Sequence, residues 1–200
     1  MTHARQIHLI YEPFADTGPG TTKLPLKAIA VPDRPRYLTT NAAGAPRLST
    51  GPSPRGNSLV VEPSYDEAQP KLLLLTLSRG GAPTRVNGRP APRVAVLSVA
   101  DQIRFDDYLL HVTSYNRPRI GSIAGADADD PGRCPMCSLP FEDGDVVYTC
   151  SHCPGRLHMK SRPRGDQEEI LRCATFVREC PSCKNPIDLE EGWSFVPDER

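Results

Sequence analysis

The first 120 residues alternate between short apolar runs and turn-forming residues. The runs are four to eight residues long and are bounded by Pro, Gly, Asn or Asp, a pattern typical of strands in an all-β domain. They read IHLIY, KAIAV, NSLVVE, KLLLLTLS, RVAVLS, DQIRF and YLLHVTSY. Apolar residues at helical spacing are hard to find in this part of the chain. We therefore predict a mainly β fold, with a β-sandwich or barrel at the N-terminus.

Turn-forming pairs separate the later runs. The Asn87-Gly88 pair predicts a tight hairpin turn. Ala100-Asp101 and Asp106-Asp107 mark two further turns between the strands that follow. Residues 40–57, by contrast, are rich in Gly, Pro, Ala and Ser and are predicted to form one long loop.

A small, acidic, turn-rich stretch at residues 121–132 predicts a linker. It separates a cysteine-free part from a part that holds every cysteine. The predicted organisation is a β-domain at 1–120, the linker, and a cysteine-rich domain at 133–200. At the end of the second domain, Ile187, Trp193 and Phe195 are predicted to form a closing strand or turn packed against it.

Charge limits the partners that the chain is expected to bind. The formal net charge is zero, but residues 1–120 hold 15 basic and 9 acidic side chains and residues 121–200 hold 9 and 15. A net-acidic C-terminal half argues against nucleic acid as a partner, since phosphate contacts dominate the affinity of proteins for nucleic acid.

The chain has no apolar run long enough for a signal peptide or a membrane span. The expected location is the cytoplasm, with neither membrane nor nucleic acid as a partner.

Seven cysteines and one histidine follow one another at metal-ligand spacing, and three of the cysteine pairs are Cys-x-x-Cys. In a reducing compartment such pairs favour metal binding over disulfides. Zinc takes four sulfur or nitrogen ligands in a structural site, so eight ligands fill two zinc ions and leave no position for an activated water. The ligands are Cys134, Cys137, Cys150, Cys153, His158, Cys173, Cys180 and Cys183.

The spacing alone allows two ways of sharing these ligands. In a sequential arrangement, the first four cysteines bind one ion and the remaining four ligands bind the other. In a cross-braced arrangement, the ligand pairs alternate along the chain. One ion is then held by Cys134, Cys137, His158 and Cys173, and the other by Cys150, Cys153, Cys180 and Cys183.

The segments CPMC, PFEDGDVVYTCSHCPGRLH and CPSCKNPI, within residues 133–187, resemble the RING-finger superfamily and especially its prokaryotic, PHD-like branch. This resemblance implies the cross-braced arrangement. The sequence departs from the family at Ser161, where a cysteine is usual, so Cys173 substitutes from farther along the chain. His152 is an additional histidine that could displace a cysteine ligand, and we interpret it as a solvent-exposed bystander.

Residues 75–116 resemble the C-terminal end of forkhead-associated (FHA) domains, which are β-sandwiches. The matching residues are Val86, Asn87, Gly88, Leu97, Asp101, Ile103 and Phe105. Such domains bind phosphothreonine through a Gly-Arg and a Ser-x-x-His motif, and neither motif occurs in residues 1–75. The expectation is a degenerate FHA-like sandwich that binds an unidentified protein partner.

The RING-like resemblance implies docking of a conjugating enzyme charged with ubiquitin or a ubiquitin-like protein. The zinc module itself does no bond chemistry, so no catalytic residue is predicted, and a RING-type ligase acts by positioning. The positions that correspond to the docking surface are Met136, Pro181 and Lys184, and Phe176 or Val177 could complete a shallow apolar groove beside them. Two alternatives are a non-catalytic, zinc-stabilised interaction scaffold in a bacterial assembly and, ranked last, a histone-tail reader.

Overall fold

The computed structural model divides the chain into two compact units. It describes residues 5–13, 25–52, 58–65, 70–77, 83–124, 132–164 and 167–197. Arg5–Tyr115 and the residues from Trp193 onward form one unit, here called the β-unit. Asn116–Gly192 form the other, here called the cysteine unit. The cysteine unit is therefore an insertion before the last segment of the β-unit.

The described part of the β-unit contains two sheets. The first sheet has the order β2-β1-β11-β10-β7-β8, with β17 paired to β11. Its strands are β1 (Arg5–Tyr11), β2 (Lys27–Ala30), β7 (Arg85–Val86), β8 (Arg89–Pro90), β10 (Gln102–Phe105), β11 (Tyr108–Asn116) and β17 (Gly192–Trp193). The second sheet is antiparallel, with the order β4-β3-β5-β6-β9. Its strands are β3 (Arg36–Thr40), β4 (Pro46–Ser49), β5 (Ser58–Ser64), β6 (Lys71–Leu77) and β9 (Val94–Leu97).

Both sheets contribute alternate side chains to one apolar core. Because successive side chains of a strand point to opposite faces, the buried residues recur at every second position, as in Ile7 and Leu9 or Leu72 and Leu74. The core residues are Ile7, Leu9, Tyr11, Val31, Leu38, Leu59, Val61, Leu72, Leu74, Leu97, Ile103, Phe105, Leu110 and Val112. The mainly β prediction is confirmed, and each predicted run contributes a strand.

The three predicted turns are also confirmed, and each uses left-handed backbone. Asn87 and Gly88 have φ angles of 50° and 77° and join β7 to β8. The Asn87 side chain donates from Nδ2 to Asp101 Oδ1 at 2.8 Å, and its Oδ1 accepts the Gln102 N–H at 2.9 Å. Ala100 and Asp106 supply the positive φ at the other two turns. Asn87 thus links two turns that are distant in sequence.

Two boundaries differ from the prediction. The predicted loop at 40–57 contains β4, which pairs with β3 through Leu38 and Leu48. The predicted linker at 121–132 begins on a strand, because Gly121 and Ser122 belong to β12 (Arg119–Ser122) of the cysteine unit. Ile123 is also part of the core of that unit. Residues 125–131 of the predicted linker lie outside the described residues.

The prediction that Trp193 and Phe195 pack on the cysteine domain is wrong, since both belong to the β-unit. The Ser194 N–H donates to Ser114 O at 2.8 Å, and the Thr113 hydroxyl donates to Phe195 O at 2.7 Å. The Trp193 ring lies edge-on to His8 and Tyr115, with centroid separations of 4.9 and 4.8 Å. The segment at residues 193–195 therefore lies alongside β11 in the first sheet.

The cysteine unit is built from short elements around its own core. Its strands are β12, β13 (Val146–Thr149), β14 (Arg156–His158), β15 (Arg162–Arg164) and β16 (Gln167–Glu169), and its helix is α1 (Cys173–Phe176). β13 lies between β12 and β14, and β15 pairs with β16. The core combines Ile123, Phe141, Val147, Tyr148 and Leu157 with four buried cysteines, and Ile187 packs against it as predicted. Among the described residues, no helix is long and apolar enough to cross a membrane.

Candidate metal centre

The eight predicted ligands form two groups in the structure, and the groups are cross-braced. The first group is Cys134, Cys137, His158 and Cys173, and the second is Cys150, Cys153, Cys180 and Cys183. Within each group, the candidate ligand atoms lie within 4.8 Å of one another. Each group joins a pair of cysteines from one part of the unit to two ligands from a later part.

Two of the Cys-x-x-Cys pairs have the same backbone conformation. In CPMC the Ser138 N–H donates to Cys134 O, and in CPSC the Lys184 N–H donates to Cys180 O, both at 2.8 Å. Ser138 and Lys184, the residues that follow each pair, have φ angles of 62° and 61°. This reversal of the chain directs both sulfurs of a pair toward one point. The repeated sequence CPxC therefore folds into the same knuckle at each end of the unit.

The third pair, Cys150 and Cys153, is held by backbone donors. The Gly155 N–H donates to Cys153 Sγ and the His152 N–H donates to Cys150 Sγ, both at 3.4 Å. A Cβ added at Gly155 would lie 3.2 Å from Cys153 Sγ, so any larger residue would require one of the neighbouring atoms to shift. The His152 side chain is exposed and belongs to neither group.

The remaining two ligands of the first group come from a strand and a helix. His158 ends β14, where it pairs with Val147 of β13, and Cys173 begins α1. His158 Nδ1 lies 3.5 Å from Cys137 Sγ and 3.9 Å from Cys173 Sγ. Cys173 thus occupies the fourth position of the group, although it lies fifteen residues beyond the histidine.

An acidic and a basic side chain lie behind His158. His158 is fully buried, and its Nε2 lies 3.4 Å from Asp145 Oδ2. The same Asp145 oxygen accepts a hydrogen bond from Arg162 at 3.1 Å, and Arg162 also pairs with Glu142 and Glu169. Nδ1 therefore faces the cysteines while Nε2 faces a carboxylate, which is the usual arrangement of a metal-binding histidine.

The distances fit a tetrahedral ion bound to sulfur. With zinc–sulfur bonds of about 2.3 Å, two ligands of a tetrahedron are separated by about 3.8 Å. Cys150 Sγ lies 3.7 Å from Cys183 Sγ, and Cys153 Sγ lies 3.7 Å from Cys180 Sγ. Disulfide sulfurs are only about 2.05 Å apart, and all seven cysteines are free. The two groups could hold two metal ions.

The thiol pKa values match a site that a cation completes. Burial raises the pKa of Cys153 and of Cys173 to about 12, and the neighbouring thiols act in the same direction. Burial also acts to raise the pKa of Cys183, but hydrogen bonds from Asn185 outweigh it and lower that pKa to about 6. Burial lowers the pKa of His158, which favours the neutral imidazole that binds metals. Metal binding should therefore release protons from the buried thiols.

The predicted docking residues lie on the segments that carry the ligands. Met136 is 42% exposed inside the first knuckle, and Phe176 is 69% exposed at the end of α1. Cys137 and Cys173 of the first group bring these two segments together. Pro181 and Lys184 belong to the last knuckle, in which Pro181 is half-buried and Lys184 is exposed.

Reasoning from the sequence missed the residues behind His158. Asp145 and Arg162 are seventeen residues apart and come together only because β14 brings His158 beside the turn at residues 142–145. The available signal was the Gly144-Asp145 pair directly before an apolar strand. Gly144 has a φ of 84° and allows that turn.

Asp145→Asn should weaken metal binding at the first group. Asparagine keeps the shape of the side chain but removes the charge that orients the imidazole and pairs with Arg162, and such outer contacts are worth about 10–100-fold in metal affinity. Competition with a chromophoric chelator measures the loss. Asp143→Asn, at an exposed position in the same turn, is the control. Equal affinities for the two variants would exclude a role for Asp145.

No protein-family model, curated protein or solved structure matches this chain. The class of site that the structure defines is a pair of interleaved, cysteine-rich groups able to hold two metal ions.

Proposed function

We propose that the cysteine unit is a RING-like module with two zinc ions and that it recruits a conjugating enzyme of a ubiquitin-like system. Zinc is favoured because the donors are seven sulfurs and one imidazole nitrogen at tetrahedral separations. All four positions of each ion would be filled by protein, so no open position remains for hydrolytic chemistry. The module would act by binding and positioning its partner.

The observation that carries this proposal is the pair of exposed apolar side chains beside the first group. Met136 and Phe176 lie on segments that carry ligands of the first group, and exposed apolar side chains that come together mark protein-interaction sites. Lys184 adds a positive charge in the last knuckle. Exposed apolar side chains and a basic residue on the ligand-bearing segments of one unit suit a protein partner.

For the β-unit we propose an FHA-like sandwich that binds a second protein. Support comes from the two sheets around one core and from the Asn87-Gly88 turn, which is fixed to Asp101 and Gln102. Residues 1–75 lack the phosphothreonine motifs of that family, so the proposed partner is not defined by phosphorylation. The chain would then be an adaptor located in the cytoplasm, where thiols stay reduced.

Met136→Asp should abolish stimulated discharge of a thioester-linked ubiquitin-like protein from the conjugating enzyme. A carboxylate placed on the apolar surface must be desolvated on docking, so binding should be lost while the metal content stays at two ions. Ile120→Asp is the matched control, because Ile120 is 44% exposed in the same unit but lies away from the ligands in sequence.

If the Met136→Asp variant stimulates discharge of the ubiquitin-like protein as well as the wild type does, the ligase-adaptor proposal is wrong. Stable protein partners that both variants retain, with no effect on discharge, would instead favour the non-catalytic scaffold.

A further inference from the structure

Strand β9 is an edge of the second sheet and lacks the features that protect edge strands. Proteins commonly place charged residues or proline on such strands to prevent pairing with another chain. β9 reads Val94-Ala95-Val96-Leu97 and has neither. The strands at the other ends of the two sheet orders each contain Lys, Arg or Pro: Lys27 in β2, Pro46 and Arg47 in β4, and Arg89 and Pro90 in β8.

The backbone register shows which groups of β9 face this edge. The Thr76 N–H donates to Arg93 O at 2.9 Å, so Arg93 and Thr76 form a hydrogen-bonded pair of the antiparallel ladder. Hydrogen-bonded pairs occur at every second residue of the strand. The N–H and C=O groups of Ala95 and Leu97 therefore bond to β6. The N–H and C=O groups of Val94 and Val96 therefore point away from β6. Among the described residues, the backbone groups of Val94 and Val96 make no hydrogen bond with a turn or a loop.

The side chains of the same two residues are exposed on the outer face of the sheet. Val94 is 60% exposed and Val96 is 57% exposed. Their neighbours across the ladder are Leu75 and Leu73, which are only half-buried. Within the described part of the chain, β9 thus combines backbone groups that have no ladder partner with adjacent exposed aliphatic side chains; this combination is here called the β9 edge.

We propose that the β9 edge pairs with the β9 edge of a second copy of this chain. In an antiparallel pairing centred on Ala95, Val94 lies opposite Val96 of the other copy, and Val96 lies opposite its Val94. The residues with outward-facing N–H and C=O groups then meet each other, giving four hydrogen bonds across a twofold axis. The valine and leucine patches of the two copies become one apolar surface.

Charge is compatible with a second copy at this position. Arg93 is exposed directly before the strand. In the pairing centred on Ala95, it lies opposite Leu97 of the other copy. The two Arg93 residues are then about 13 Å apart along the strands, four residues at the β-strand rise, so their repulsion is screened by salt. Both strands of this pairing are β9, and no residue outside this chain is needed. This favours a second copy over an extended peptide of unrelated sequence.

The test is the mass of the full, zinc-loaded chain in solution across a dilution series, measured by sedimentation velocity. The wild type should show a concentration-dependent doubling of mass. Val96→Lys should abolish the doubling, because a charge is placed in the apolar patch. Leu109→Lys, at a 44% exposed position in the first sheet, should keep it. Unchanged circular dichroism and metal content show that the variants are folded.

Amide hydrogen exchange distinguishes edge pairing from other dimers. In the concentrated wild type, the amides of Val94 and Val96 should be protected, and dilution should release them. Those of Ala95 and Leu97 should stay protected at both concentrations. A chain that remains monomeric overturns the proposal, whatever peptide the edge then binds. A dimer that survives Val96→Lys, or one in which Val94 and Val96 exchange freely, also overturns it.

Discussion

Cys180→Ser should release both metal ions and unfold the cysteine unit. Cys180 is 1% exposed and supplies one sulfur of the second group. A serine hydroxyl is a poor substitute for a thiolate, and a structural zinc ion contributes on the order of 10 kcal/mol to folding. That contribution is comparable to the whole stability of a small domain, about 5–15 kcal/mol. Loss of one group therefore removes most of the free energy that keeps this unit folded.

The cross-braced arrangement is the reason why both ions should be lost. Cys150 and Cys153 of the second group lie in the chain between Cys137 and His158 of the first. When the second group no longer binds its ion, the segment at Cys150 and Cys153 is no longer held to the knuckle at residues 180–183. The same segment positions His158 of the first group. A sequential arrangement would confine the damage to one ion.

Metal content per chain and near-ultraviolet circular dichroism measure this outcome. Ser182→Ala, in the same knuckle but at an exposed position outside the ligand set, should retain two ions and is the matched control. A Cys180→Ser protein that keeps one tightly bound ion and a folded cysteine unit would contradict the interdependence of the groups.

Phe105→Ala should destabilise the β-unit by about 3–5 kcal/mol, the usual cost of removing a buried aromatic ring. Phe105 ends β10 and is fully buried in the core that the two sheets share. Removing the ring leaves a cavity between sheets whose strands are fixed by their ladders, so the core cannot close around it. This loss is a large part of the stability expected for a domain of this size.

Denaturant unfolding followed by the fluorescence of Trp193 measures the loss, since this is the only tryptophan and it stacks within the β-unit. Leu109→Ala removes a partly exposed side chain from the adjacent strand and should cost far less. Similar losses for the two variants would mean that Phe105 does not contribute to the core in the way described.

The strands of the β-unit were predictable where a local pattern determines them. Apolar runs such as IHLIY and YLLHVTSY predicted β1 and β11, and the Asn87-Gly88 pair predicted the turn between β7 and β8. Each of these signals lies within a few neighbouring residues. β4 was not predicted, and the strand or turn predicted at Trp193 was placed against the wrong unit. Their strand conformation depends on pairing with β3 and β11, and Trp193 lies about eighty positions from its partner strand.

In the candidate metal site, too, the local features were predictable from the sequence and the long-range contacts were not. Ligand identity followed from the Cys-x-x-Cys spacing, because each knuckle is a local turn. The sharing of the ligands did not follow from spacing alone, and only the resemblance to RING fingers implied it. The contacts of Asp145 and Arg162 behind His158 depend on how β14 and β15 are placed beside a turn, which no local pattern encodes.

We expect one chain to bind two zinc ions through seven sulfurs and one nitrogen. X-ray absorption at the zinc edge, combined with metal analysis of the purified chain, measures the number of ions and the identity of their ligands. The expected result is two zinc ions per chain and a ligand shell dominated by sulfur at about 2.3 Å, with a minor nitrogen contribution. A single ion per chain, or a shell dominated by oxygen or nitrogen, would contradict it.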